Sequence, residues 1–393
     1  MPDKFRRRLL SLLLSFYNSQ HNGSSYLEED FFEDSGYQRV YRKIYFNIFR
    51  NLGFIERILT EYTKNLKDKK AKSLLVLGTS QIFFMDDIPD YACINETVKL
   101  APVYLKKFIN ATLRNIARNK EVLIQSYSIK ENFPDWFVQK WANLFSNDCE
   151  LDNFLNFFNK SPEFHSINMD SLTPEPYIKN ASRSYPMDLA SFYIPMLSGN
   201  IRASSIMDAC AAPGGKTLVL SQLHPNAKIT ALDKDSKRSD ILAHNVKKYN
   251  ADNVRIINED FLNFNLKNQE KFDLILLDAP CTGLGTMKRH PEIRWLRTRE
   301  DIKKMASYQN KFLEKASQLV THGGYILYSV CSLEAEEGID VINNFIDSNP
   351  NFKIFTPNFH YIPSDFFWGK FYYTLPHKTL TDGFFAALLK NTA

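Results

Sequence analysis

Cysteine is scarce in this chain, with five among 393 residues. Cys93, Cys149, Cys210, Cys281 and Cys331 are odd in number and lack the short paired spacings of zinc sites. That excludes a disulfide framework and points to free thiols in a reducing compartment, the cytoplasm, with no metal expected. No apolar run approaches the roughly 18 residues of a membrane span. The start, Lys4-Phe5-Arg6-Arg7-Arg8 followed by Leu9 to Tyr17, imitates the basic and apolar regions of a signal peptide. However, Asn18-Ser19-Gln20-His21 offers no small-residue cleavage site, so an amphipathic first helix is expected. Internal repeats and long low-complexity tracts are also missing.

What remains is the composition of a soluble globular protein, 44% apolar and 24% charged, long enough for two or three domains. The net charge of +5 is unevenly placed: residues 1–130 hold 21 Lys and Arg against 14 Asp and Glu, leaving the rest slightly acidic. A basic front half suits an anionic partner such as nucleic acid, and a solvated surface is the alternative. Residues 1–125 read as helices only. Apolar residues recur at three- and four-residue spacing over Tyr37 to Tyr62 and Lys72 to Met85, and again over Tyr91 to Arg118 with a break near Pro102. Residues 126–185, with prolines at 134, 162, 174 and 176, form a connecting region with a small subdomain. From 186 to 393 strands alternate with helices: Ser204–Asp208, Lys228–Asp233, Val254–Asn258, Phe272–Asp278, Gly324–Ser329 and Phe384–Leu389. Such alternation predicts an α/β domain, a parallel sheet covered on both faces.

Three strand ends carry the chemistry. The first runs into Asp208-Ala209-Cys210-Ala211-Ala212-Pro213-Gly214-Gly215-Lys216-Thr217, a Gly-rich turn that lets backbone N–H groups approach a ligand at a helix N-terminus. A phosphate-binding P-loop needs a glycine five positions before Gly215, and Cys210 stands there. Asp233 ends the second strand, 18 positions after Gly215, where ribose hydroxyls are held in such folds, and Asp260 follows the third. Either acid alone reads as a loop residue or cap. Together with the turn they form a nucleoside cradle, better suited to S-adenosylmethionine than to NAD. The other two ends are Asp278-Ala279-Pro280-Cys281 and Tyr328-Ser329-Val330-Cys331-Ser332. Neighbouring strands lie about 4.8 Å apart, so both thiols should emerge side by side at the carboxyl edge of the sheet. Carbon 5 of cytosine becomes nucleophilic once a thiolate adds to carbon 6, and a carboxyl group such as Asp278 assists at ring nitrogen 3. Loss of the carbon 5 proton then needs a base. Two thiols and one Asp meet those demands, without settling which thiol attacks.

These segments resemble the RsmB-type (Sun/Nol/Nop) RNA cytosine-5 methyltransferases. Further matches are Arg289-His290-Pro291-Glu292-Ile293-Arg294-Trp295-Leu296-Arg297, Gly323-Gly324 and Asp382-Gly383-Phe384-Phe385-Ala386. The front half resembles the NusB-like RNA-binding domain of bacterial RsmB, through Gly78-Thr79-Ser80-Gln81, Ile88-Pro89-Asp90-Tyr91-Ala92, Asn95-Glu96 and Lys106 to Arg114. The resemblance implies a class I, Rossmann-like methyltransferase domain over 186–393, with a mostly parallel, doubly wound seven-stranded sheet. It implies an all-α NusB-like domain over 1–125 in front. It further implies Cys331 as nucleophile, Cys281 as the thiol that helps release product, and S-adenosylmethionine contacts from Cys210, Ala211, Ala212, Pro213, Gly214, Gly215, Lys216, Asp233, Asp260 and Asp278.

There are departures from the family pattern. Val330 replaces a usual Thr, Tyr185-Pro186-Met187-Asp188 keeps an Asp but lacks a Gln, and Ser166 stands where an Arg is typical. The stretch from there to Asp208 is about half the family's length. Lys288, Arg289, His290, Arg294, Arg297 and Arg299 could bind phosphates, with Trp295 stacking on an unpaired base; a surface loop around a core Trp is the other reading. The expected substrate is small-subunit (16S) rRNA, flipped or looped at the target, acted on by a monomer. Transfer RNA, a non-RNA substrate, and a non-catalytic ribosome assembly factor are the alternatives.

Overall fold

The computed structural model describes residues 2–18, 36–145, 147–178, 181–266, 271–356 and 361–392. Ser19-Gln20-His21, weighed above as a cleavage site, lie outside them. The chain divides into two compact units, residues 1–159 with 291–297, and residues 160–290 with 298–393.

The first unit is helical. Its apolar spacings become the helices Pro2–Asn18, Gly36–Arg50, Leu52–Tyr62, Lys69–Phe84, Asp90–Leu100 and Val103–Arg118, the last starting directly after Pro102. The signal-like start is an amphipathic helix whose Leu9, Leu10, Leu13 and Tyr17 enter the core. Helix Lys69–Phe84 is buried along nearly its whole length, its first turn capped by Asp68, which accepts from the N–H groups of Lys70 and Ala71. Its Gly78 lies where a Cβ would come within 2.5 Å of Leu113, so the missing side chain lets two helices cross closely.

Beyond residue 126 the same unit holds helices Asp135–Ala142 and Asp148–Asn159, which close over a ring cluster of Phe133, Phe137, Trp141, Phe154 and Phe158. Residues 291–297 complete it. Arg294 is fully buried, donates to the carbonyls of Asn132 and Phe158 and to Asn159 Oδ1, and lies 4.0 Å over the Phe133 ring. Burial lowers its guanidinium to about 9, which leaves it cationic at neutral pH. Trp295 Nε1 donates to the Phe49 carbonyl at 2.7 Å. The expectation that Arg294 binds phosphate and Trp295 stacks on a base is therefore corrected: Arg294 is a buried core group of the helical unit, and Trp295 packs partly buried against that core with its N–H committed.

The second unit opens with a small antiparallel sheet, β1 (His165–Asn168) flanked by β2 (Thr173–Pro176) and β3 (Ser184–Pro186). The main sheet contains β4 (Ser205–Asp208), β5 (Lys228–Asp233), β6 (Val254–Asn258), β7 (Phe272–Asp278), β8 (Val320–Val330), β9 (Phe352–Ile354), β10 (Phe367–Trp368), β11 (Phe371–Tyr373) and β12 (Phe385–Asn391). Seven strands run in the order β6-β5-β4-β7-β8-β12-β9, the first five parallel and β12 antiparallel to its neighbours. The short hairpin β10–β11 also pairs with β12 and raises the count to nine, its turn made by Gly369 at φ +60°. Along β7, Leu274 and Leu276 pack into the core on one face, Ile275 and Leu277 into the core on the other. That two-sided burial is why the strand reads as an unbroken apolar run.

Trp295→Ala removes an indole packed against the helical core together with its hydrogen bond, and should destabilise the helical unit by roughly 2–4 kcal/mol. Urea unfolding followed by far-UV circular dichroism measures this, and an unchanged transition would contradict the placement.

Candidate active site

The turn after β4 is built by its glycines. Gly214 has φ +108°, and a Cβ on Gly215 would come within 2.8 Å of the Tyr185 ring, so side chains are excluded at both positions. The turn hands the chain to helix Gly215–Leu223 and edges a cavity of about 470 Å³, within the ~300–1,000 Å³ usual for small-molecule sites. Cys210, Ala211, Ala212, Pro213, Gly215 and Lys216 line it, with Asp278 and Cys331 from the next two strand ends. Tyr185, Asp188, Asp208, Arg289 and Asp382 line it as well.

Asp278 is doubly held: Lys216 Nζ donates to one oxygen at 2.7 Å and Ser329 Oγ to the other at 2.7 Å. Asp208 accepts from Thr217 Oγ1 at 2.7 Å, while its second oxygen is buried with no protein partner. Burial pushes this carboxyl up to about 7. On another wall Arg289 bridges Asp188 and Asp382. Burial and then Asp188 push Asp382 up to about 6, against the pull of Arg289.

The two thiols meet. Register pairs Asp278 of β7 with Ser329 of β8, and Ala279 N–H donates to the Ser329 carbonyl, so both chains leave the sheet together. Cys281 Sγ and Cys331 Sγ are 2.7 Å apart. The contact with Cys331 and then burial raise the Cys281 thiol well above its ordinary range, so Cys281 keeps its proton, and either sulfur can be the donor between them. Cys210, desolvated beside Asp278, Asp208 and Asp233, is likewise held as a neutral thiol. Gly285 locks the thiol loops: its N–H donates to the Cys331 carbonyl, and a Cβ there would lie 1.9 Å from the Gly383 oxygen.

Other residues singled out in the sequence lie elsewhere. Asp233 is buried and accepts from the backbone N–H groups of Ala212 and Asp235. Asp260 accepts from Leu262 N–H in its own turn. Neither they nor Gly214 nor Cys281 edge the cavity. Cys93 is buried in the helical unit and Cys149 is exposed. Sequence reasoning overlooked Asp208 as a site group and the Arg289–Asp382 pair, 93 residues apart. Among the described residues, no cluster of His, Cys, Asp and Glu could hold a metal, and no helix is long and apolar enough to cross a membrane.

A β6-β5-β4-β7-β8-β12-β9 order with a glycine turn and cavity at the carboxyl edge of β4 defines a class I methyltransferase domain. Residues 199–390 match the model of the 16S rRNA methyltransferase RsmB/F family, and residues 6–118 match the NusB family. Residues 199–390 are thus matched as an RsmB/F methyltransferase domain, and residues 6–118, ahead of it, as a NusB-family domain. A ribosomal RNA small subunit methyltransferase B of Shewanella oneidensis is 29% identical, covering 88% of this chain and 89% of that protein. The protein of the same name from Yersinia pestis is 27% identical over 82% of each chain. Among solved structures, PH0851 aligns over 99% of both chains with a TM-score of 0.74 at 23% identity, a likeness of fold. A methyltransferase homologue from Pyrococcus horikoshii aligns at 25% identity and a TM-score of 0.54, over 69% of this chain and 98% of its own.

With its proton held, Cys281 should alkylate with iodoacetamide at pH 8 roughly tenfold or more slower than exposed Cys149, and accelerate as pH rises further. Peptide-resolved mass spectrometry gives both rates, and equal rates would contradict the assignment. Gly285→Ala forces a methyl group into backbone and should cost about 1–3 kcal/mol of stability, seen as a lowered unfolding temperature together with faster Cys281 alkylation.

Proposed function

We propose that this chain is an S-adenosylmethionine-dependent, cytoplasmic RNA cytosine-5 methyltransferase acting on small-subunit (16S) rRNA through a covalent bond between Cys331 and carbon 6 of the target cytosine. The observation that carries this reading is the thiol pair: Cys331 faces the cavity beside Asp278, with Cys281 in hydrogen-bond contact behind it. The choice of rRNA over tRNA is supported by the names of the Shewanella and Yersinia relatives.

The residues fit the cofactor. The glycine turn presents backbone where a Cβ would intrude, and the cavity has room for a nucleoside with a short chain. Asp208 and Lys216 offer polar contacts of both signs. Cys210 to Lys216 would hold it, with Asp278 facing both cofactor and base; Asp233, outside the cavity, would act on the cradle through the Ala212 N–H it accepts from, and Asp260 stands beyond the end of the next strand. S-adenosylmethionine, when bound there, supplies the methyl group that carbon 5 takes.

The chain's own groups do the rest. Cys331 as thiolate, stabilised by the Cys281 S–H, adds to carbon 6, and its sulfur electron pair becomes the new C–S bond. Asp278, oriented by Lys216 and Ser329, accepts from a proton carried on nitrogen 3 of the ring, and that protonated nitrogen takes up the electron pair that the addition displaces. Release needs carbon 5 to lose its proton and the C–S bond to break. Cys281 passes its proton to the departing Cys331 sulfur and takes the one leaving carbon 5, which leaves both thiols protonated.

Cys331→Ala should abolish transfer of labelled methyl groups and all adduct. Cys281→Ala should accumulate protein-linked RNA that survives denaturant. Denaturing gels with labelled cofactor and small-subunit rRNA, with bisulfite sequencing of the product, read both outcomes. RNA trapped by Cys331→Ala instead would reverse the roles, and transfer to no RNA by the unaltered protein would sink the proposal.

A further inference from the structure

The loop after Cys331 carries an acidic run, Glu334, Glu336 and Glu337, that resembles a solvated surface. Glu337 is the opposite: it is completely buried. Its carboxylate accepts four hydrogen bonds from three separate segments. The backbone N–H of Thr282 reaches one oxygen at 2.9 Å, and Gln309 Nε2 reaches the same oxygen at 3.1 Å. Ser332 Oγ reaches the other at 2.6 Å, joined there by Thr282 Oγ1. Thr282 follows Cys281 and Ser332 follows Cys331 directly, so one carboxylate binds the residue next to each thiol. Gln309, on helix Arg299–Leu319, also donates to the Pro280 carbonyl at 2.9 Å, which ties the clamp to a rigid element. Glu337 is fixed in turn, since Tyr328 Oη donates to its carbonyl at 2.6 Å.

A carboxylate this deep is costly to bury unless it is fully hydrogen-bonded, as Glu337 is. Apolar residues would fill the same space without that cost. What they could not do is fix two loops to a common point, and a thiol pair that must exchange a proton tolerates little relative drift. We infer that Glu337 is a positioning residue for both thiols, holding the Pro280-to-Thr282 loop and the Cys331-Ser332 loop at the spacing the reaction needs. This rests on the function proposed above; Glu337 touches neither cofactor nor reacting atoms.

Glu337→Gln keeps the shape but turns an NH2 group toward donors. Two measurements on the full-length protein test the role. The first is binding of phenylarsine oxide, whose arsenic bonds two adjacent thiols with loss of water and reports thiol spacing without any RNA. The second is methyl transfer, resolved into kcat and KM. Glu337→Gln should weaken arsenical binding and lower kcat, each by about tenfold or more, the scale of losing a buried charged hydrogen bond, with KM for S-adenosylmethionine within twofold. A kcat within twofold of the parent would overturn the role, and so would a fall in kcat with arsenical binding unchanged. Should Glu337→Gln not fold, Thr282→Ala and Ser332→Ala, each removing one donor, decide it: a several-fold fall in both readouts at an unchanged unfolding temperature upholds the clamp, and no fall overturns it. If the parent binds the arsenical but methylates no RNA, the function fails, while the arsenical comparison still decides whether Glu337 holds the thiols.

Discussion

Parallel pairing of β7 with β8 is the constraint on which the candidate site depends. Adjacent strands in a sheet are separated by about 4.8 Å, and the Asp278–Ser329 register brings both strand ends to the same height. Two thiols, one three residues past Asp278 and the other two past Ser329, then meet over a short gap. The ladder also delivers Ser329 to Asp278, so the pairing that juxtaposes the sulfurs orients the carboxylate beside them. A shift of one residue in either strand would turn its side chains to the other face of the sheet. The apolar filling of both faces of β7 and β8 holds that register, and in this way the core sets the chemistry.

Around the thiols, charges are matched by arrangements that differ in character. Asp278 has a cation, Asp188 and Asp382 share one, Glu337 has four neutral donors, and Asp208 has one donor and an oxygen without a protein partner. The first three are complete as they stand. Only Asp208 is unfinished, and it faces the cavity. Burial raises this carboxyl to about 7, and the cost of its open oxygen falls when a polar ligand donates to it. Of the cavity-lining acids, Asp208 is the one whose second oxygen is open to a ligand.

The strands of the catalytic unit, its glycine turn and both thiols were legible because each is a local pattern. An apolar run, a Gly-Gly pair and a cysteine at a strand end need no partner elsewhere to be seen. The helices of the first unit were legible for the same reason, and Pro102 marked a real break. Glu337, Gln309 and Asp382 were not, because their meaning lies in partners 28 to 93 residues away. Glu337 was further hidden among surface-like acids. The two strands beyond the expected seven were missed because β10 and β11 are two and three residues long, too short for any periodicity.

Arg294 and Trp295 show the same limit at the scale of domains. Read in sequence, a basic and aromatic stretch just after a Pro-Cys segment belongs to the active mouth and to RNA. In the fold, the chain leaves the catalytic unit after His290, contributes seven residues to the helical unit, and returns at Thr298. The helical unit is therefore not a self-contained front cassette. Its ring cluster over Phe133 is closed by a guanidinium, and the Phe49 carbonyl is met by an indole, both arriving more than 130 residues after Asn159. During synthesis those groups are missing until well over half of the catalytic unit has been made, so the helical unit cannot reach its final packing first. Because buried polar groups without partners are costly, the packing of the helical unit depends on residues 291–297.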